Sequence, residues 1–356
     1  METVPYRRLP RTNFWKSLSD GSMADVDIVS PSRLAITQQD KVATAGSCFA
    51  QHIAARLSGS GFNYLVTERP HSTLPMDVAR AHNYGIYSAR FGNIYTVAQL
   101  HQLIDRVYGA FMPAEDVWFD MSGRIDDPFR PGIEPSGFPT MEEYLRDRAQ
   151  HFAAVREMLE TMTVFIFTLG LTECWSSKQD GAVYPLCPGV AGGSFSAERY
   201  EFQNHSLARM NAELDGFISK LKEINPNCRV ILTVSPVPLA ATYEPRHVLV
   251  STTYSKSALR VLAEEAVQRH PHVEYFPSYE IITGSFNRGG YYAEDLRTVR
   301  SEGVDHVMRL FMRHFTDGSS APDIGSVDEP KAESTHVIAK TIADLVCEEA
   351  ILGSFS

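Results

Sequence analysis

The sequence predicts an α/β protein, a three-layer α/β/α sandwich with helices on both faces of a mostly parallel sheet. Two observations predict it. Strand and helix patterns alternate along the chain, the order that builds parallel strands joined by crossover helices. Two of the strands, within "TVFIFTLG" and "CRVILTVS", are nearly continuous apolar runs, which suits strands covered on both faces.

The elements follow in order. The first forty residues read as a mixed polar lead-in. Val42 to Ala45 is a short apolar run that stops at Gly46, and beyond it Phe49, Ile53 and Leu57 recur at four-residue spacing, one buried helical face widened by Ala50 and Ala54. Ser47 is a good N-cap type for that helix, which puts Cys48 at the helix start, pointing away from the buried face. "GFNYLV" (61–66) reads as a second strand opened by glycine. From residue 69 to about 140 the pattern loosens into a loop-rich insertion with one amphipathic helix, Val97 to Val107, followed by the aromatic, proline-rich "FMPAEDVWFDMSGRIDDPFRPGIEPSGFP". Such a segment either roofs a pocket or is a structural excursion.

Residues 141–162 read as a helix capped by Thr140 and lead into the buried strand Val164 to Leu169. A Gly- and Pro-rich loop region follows, then the helix "ARMNAELDGFISKLKEINP", which stops at Pro226. "CRVILTVSPVPL" is a strand ending in prolines, "YSKSALRVLAEEAVQRH" a helix, "VEYFPSYEIIT" a strand and its exit, and "SEGVDHVMRLFMRHF" a closing helix. The expected organisation is a lead-in over 1–40, one α/β domain over 41–316 with the insertion at about 69–140, and a C-terminal extension over 317–356.

Composition narrows the functional classes. The 356 residues carry a net charge of -10 with no basic run, which argues against nucleic acid or an anionic membrane surface as the main partner. No stretch of eighteen apolar residues and no apolar leader occurs, so no membrane insertion is expected and the reading is cytoplasmic. Five scattered cysteines, at 48, 174, 187, 228 and 347, fit a reducing compartment better than a disulfide framework. No zinc spacing is present, so neither metal nor other cofactor is expected.

In parallel sheets functional groups gather at the carboxyl ends of the strands. That rule selects Gly46-Ser47-Cys48, "GLTECW" (170–175), "SPVP" (235–238) and the loop around Asp295. A thiol at a helix start has its thiolate favoured by the unpaired amides there, whereas a serine hydroxyl needs a general base before it attacks.

Residues 46–50, Gly-Ser-Cys-Phe-Ala, resemble the signature of the GSCFA family, and the resemblance continues in order through "TLGLTECW", "ILTVSPVPL", "YSKSALR", "YFPSYEI" and "YYAEDLRTVRSEGVDHVMRLF", roughly residues 40–312. GSCFA proteins resemble the SGNH (GDSL-like) hydrolases in layout, which implies a flavodoxin-like sheet whose first strand ends at the nucleophile. Matching Gly46 to the glycine of a Gly-Asp-Ser turn puts Cys48 on the nucleophile position; a register shifted by one makes it Ser47. The reading prefers Cys48 and keeps Ser47 open.

The rest of the pattern transfers with departures. Where SGNH enzymes place an oxyanion-binding Asn, this chain has Gly170-Leu171-Thr172-Glu173; Thr172 supplies one donor and Glu173 a carboxylate, and Asn93 is a further candidate. Where they end in Asp-x-x-His, Asp295 is followed by Thr298. The histidine must then come from elsewhere: His247 first, with His306, His52, His71 and His82 as alternatives. His306 is expected to point away from the buried face of its helix. What the resemblance implies is acyl transfer by an esterase, thioesterase or O-acyltransferase on an acylated small molecule or carbohydrate. The alternative is a ligand-binding domain that has lost its base. The oligomeric state is left open.

Overall fold

The computed structural model describes residues 4–19, 21–47, 49–120 and 122–318. In chain order the elements are β1 (Val42–Gly46), α1 (Ala50–Gly59), α2 (Met76–Ala81), α3 (Val97–Val107), β2 (Trp118–Phe119), β3 (Ile125–Asp126), α4 (Met141–Thr161), β4 (Val164–Leu169), β5 (Glu173–Ser177) and β6 (Val183–Tyr184). They continue with β7 (Tyr200–Asn204), α5 (Leu207–Ile224), β8 (Arg229–Val234), α6 (Val248–Arg269), β9 (Val273–Tyr275), α7 (Ser278–Thr283) and α8 (Ser301–Phe315).

The central sheet is parallel throughout, in the order β1-β4-β8-β9. Its side chains alternate between two separate cores. Ala43, Ala45, Phe165, Phe167, Leu169, Val230, Leu232 and Val234 face α3, α4, α5 and α6. Val42, Val164, Ile166 and Ile231 face α1, α7 and α8. The period-2 geometry of a strand thus turns one apolar run into two buried faces, and the α/β/α sandwich follows.

Residues 61–66 do not form the expected strand. They make a single parallel bridge to β1, Tyr64 to Val42. The reason lies in what competes for that edge: the Thr44 amide donates to Ser88 Oγ (3.1 Å) and the Gly46 carbonyl accepts from the Ile94 amide (2.9 Å). The bridge still fixes the topology. With residue 64 counted as a second strand, the spatial order is 2-1-3-4-5, the flavodoxin-like arrangement, and the strand order reverses between β1 and β4.

Three further details depart from expectation. Helix α1 starts at Ala50, with Phe49 rather than Ser47 at the cap, because Gly46 turns the chain and the Ser47 carbonyl instead closes a turn onto the Ala50 amide (2.8 Å). The helix expected from Tyr254 starts at Val248. The loop region after β4 folds into a small antiparallel sheet, β6-β5-β7. Among the described residues no helix is long and apolar enough to cross a membrane. Residues 319–356 of the expected C-terminal extension lie outside the described residues.

Candidate functional site

The site is built from the end of β1. Gly46 has φ +135°, and a Cβ placed on it would sit 2.4 Å from the Thr168 carbonyl oxygen and 2.8 Å from the Thr168 nitrogen. Glycine alone lets β1 lie that close to β4 in that conformation. Ser47 follows, only 5% exposed, its amide donating to the Thr168 carbonyl (3.4 Å). Cys48, the preferred nucleophile of the sequence reading, lies outside the described residues.

A strap, residues 91–95, crosses the turn. Besides the Ile94 bond to Gly46, the Tyr95 carbonyl accepts from the amides of Gly170 (3.2 Å) and Leu171 (2.8 Å). Gly170 in turn lies against Ser47: a Cβ on it would be 3.3 Å from Ser47 Cβ and 3.0 Å from the Tyr95 carbonyl. From the other side, Lys256 Nζ donates to the Gly170 carbonyl (2.7 Å), and the Thr172 amide donates to Ser255 Oγ (3.1 Å). Four segments of the chain therefore meet at the switch between β1 and β4.

The polar groups gathered there are short of partners. Among the described residues, the hydroxyls of Ser47, Thr168 and Thr172 are buried without a hydrogen bond. Buried hydroxyls are normally paired, so the three near this turn leave hydrogen-bonding capacity unused there.

The other candidates divide. Asn93 is brought beside the turn by its neighbour Ile94 and is buried. Glu173 opens β5, and its carboxylate accepts from Thr242 Oγ1 (2.8 and 3.0 Å), which ties it to the loop before α6. Burial raises the Glu173 pKa, with the Thr242 bond opposing. His247 is exposed and caps α6, its Nδ1 accepting from the Leu249 amide (3.1 Å). Asp295 is exposed and closes its own turn, accepting from the amides of Arg297 (3.0 Å) and Thr298 (2.9 Å) and from Thr298 Oγ1 (2.5 Å). Slight burial pushes its pKa up, and these bonds outweigh that and hold it low. Among the described residues no contact joins His247 or Asp295 to Ser47.

The remaining histidines have structural partners. His306 does not point to solvent: it is buried, with Nδ1 2.6 Å from the Tyr291 hydroxyl and Nε2 2.9 Å from the Val26 carbonyl. The lead-in packs over that side of α8, which the apolar stripe of the helix could not announce. His52 lies edge-on to Phe49, His71 bonds Thr73, and His82 bonds Glu134 (3.0 Å).

Sequence reasoning missed three groups. Lys256 carries no signal, being one cation in a helix with little amphipathic pattern. Cys174 Sγ lies 3.3 Å from His205 Nε2, a pair made by the β5–β7 register. Burial pushes the thiol up to about 12 and, with Arg209, the imidazole down to about 4, so both are neutral and no thiolate forms. The third group is a buried network of ionisable side chains: Glu68 with Arg90 and His151, Asp147 with Arg90 and Arg130, and Asp127 with Arg130.

No curated protein matches the chain. Among solved structures, a family 3 carbohydrate esterase from Clostridium thermocellum is similar at 10% identity and a TM-score of 0.34, over 78% of this chain and 95% of that chain. The GSCFA family model matches residues 41–311, from the start of β1 into α8. The chain, on that match, belongs to the GSCFA family.

Proposed function

We propose that the protein catalyses acyl transfer, as an esterase, thioesterase or O-acyltransferase, on an acylated small molecule or carbohydrate, through a nucleophile at the Gly46-Ser47-Cys48 turn. The observation that carries this reading is the position of the turn. It sits at the strand-order reversal of a parallel sheet, where ligands of such folds bind, and three unpaired buried hydroxyls surround it.

Cys48 is the nucleophile in this reading. Ser47 has no base within hydrogen-bond reach among the described residues, and an unassisted hydroxyl is a poor nucleophile, whereas a thiol already supplies a few per cent thiolate at neutral pH. The sulfur attacks the ester carbonyl carbon, the alcohol departs with a proton, and water or a hydroxyl acceptor then takes the acyl group. Thr172 and Asn93 are assigned to the developing oxyanion, Glu173 to substrate binding, and His247 and Asp295, from loops over the same edge, to proton transfer and its orientation. The free thiols Cys174, Cys187 and Cys228 support a cytoplasmic setting.

Intact-mass analysis after incubation with p-nitrophenyl acetate tests this. An acetyl adduct on the wild type and on Ser47→Ala, lost in Cys48→Ala, is expected. Loss in Ser47→Ala alone moves the role to serine, and no adduct on the wild type overturns the reading. One observation favours a binding domain instead: Thr298, where the SGNH pattern has histidine, is bonded to Asp295. Thiol labelling across pH separates the two, because a Cys48 pKa equal to that of free cysteine supports the binding domain.

A further inference from the structure

Beneath the strap, α3, the 129–130 loop and the His151 turn of α4 enclose a cavity of about 30 Å³, room for roughly two waters or one small oxyanion head. Two guanidinium groups line it, those of Arg106 and Arg130, whose residues are 8% and 3% exposed. Arg130 donates through Nε to Asp127 (2.8 Å) and through Nη2 to Asp147 (2.7 Å), but its buried Nη1 has no partner among the described residues. Arg106 makes no hydrogen bond or ion pair among the described residues; it stacks 3.6 Å from the centre of the Phe129 ring and 5.3 Å from that of Phe152.

The surrounding carboxylates do not complete these donors. Glu68, Asp127 and Asp147 are already engaged by Arg90, Arg130 and His151. Leaving a guanidinium N–H desolvated and unpaired is expensive, and a charged acceptor is the partner that gains most from it. Gln99 lines the cavity too, its Oε1 accepting from the Tyr95 and Thr96 amides. Asn93 lines the cavity as well, and the next residue, Ile94, is bonded to Gly46. One wall is therefore shared with the nucleophile turn.

We propose that this cavity is a carboxylate subsite in which Arg130 Nη1 and the Arg106 guanidinium hold the two oxygens of a substrate carboxylate. The substrate is then a carboxylate-bearing ester. That last step rests on the acyl-transfer reading; the carboxylate site itself does not.

Isothermal titration of the full chain with sodium glucuronate, sodium succinate and, as the neutral control, glucose tests it. Glucuronate binding assigns the carboxylate to an acidic sugar, succinate binding to an acyl chain, and glucose is expected not to bind. Arg106→Gln should weaken the bound carboxylate about tenfold or more, the loss expected for one charge-assisted hydrogen bond. If that variant does not fold, protection of wild-type Arg106 from phenylglyoxal by the same ligand replaces it. No saturable carboxylate binding, binding unchanged in Arg106→Gln, or no protection overturns the proposal and leaves a cavity that holds water only. Carboxylate binding without an acyl adduct would overturn the catalytic reading alone.

Discussion

Lys256 Nζ donates to the Gly170 carbonyl over 2.7 Å, in the interior of the protein, where the residue is 1% exposed. With Ser255 holding the Thr172 amide, α6 clamps the segment that lies against Ser47. Lys256→Met keeps most of the apolar stem and removes the donor. It should lower unfolding stability by about 1–3 kcal/mol in urea titration, the range for an acceptor left unpaired, with Ser255→Ala costing less.

Gly46→Ala should be far worse. The added methyl would meet backbone atoms of Thr168, which cannot swing aside, and the φ of +135° is itself unfavourable for alanine. A loss of about 3 kcal/mol or more is expected from strain and overpacking combined, read as a fall in thermal midpoint or as insoluble protein.

The unpaired hydroxyls give the opposite sign. Ser47→Ala, Thr168→Val and Thr172→Val each remove a buried polar group with no partner among the described residues. Each variant should be as stable as the wild type or more stable by about 1 kcal/mol, while Thr172→Val slows acyl-adduct formation.

Acid should destabilise the fold in two stages. Burial holds His205 at about 4, below its ordinary 6.5, so the unfolded chain takes the proton first as pH falls. Stability is then full above pH 6.5 and is lost progressively down to pH 4, on the order of 3 kcal/mol from this group. Burial lowers His52, His151 and His306 in the same sense. Glu68 follows: burial would raise it, but the His151 bond and nearby arginine hold it at about 2, so its contribution is lost between pH 4.5 and 2. Urea midpoints measured from pH 8 to 3 should trace this slope, and His205→Asn should flatten its upper part.

How much of this the sequence showed depends on what covers each face. Helices α3 and α8 were legible to the residue because their apolar stripes end where the helices do. Strands β4 and β8 were legible because both faces are apolar. Periodicity reports which face is buried against its own sheet, not what arrives from elsewhere. His306 lies off its stripe and is covered by Val26, some 280 positions away in the chain. Residues 61–66 carry strand composition but lose the β1 edge to Ser88 and Ile94. At the site, the glycine turn was readable because a strand, a glycine and a helix adjoin in sequence. Lys256, His205 and Arg130 were not, since each acquires its meaning only from a partner on another element.

The strap has a consequence for how the chain can be divided. Its backbone supplies the donor for Gly46 and the acceptor for Gly170 and Leu171, three bonds that nothing else among the described residues makes in its place. A shortened protein that splices out residues 69–140 would lose all three at once. The strap behaves as the keystone of the arch, and the sheet without it is not a smaller version of the whole.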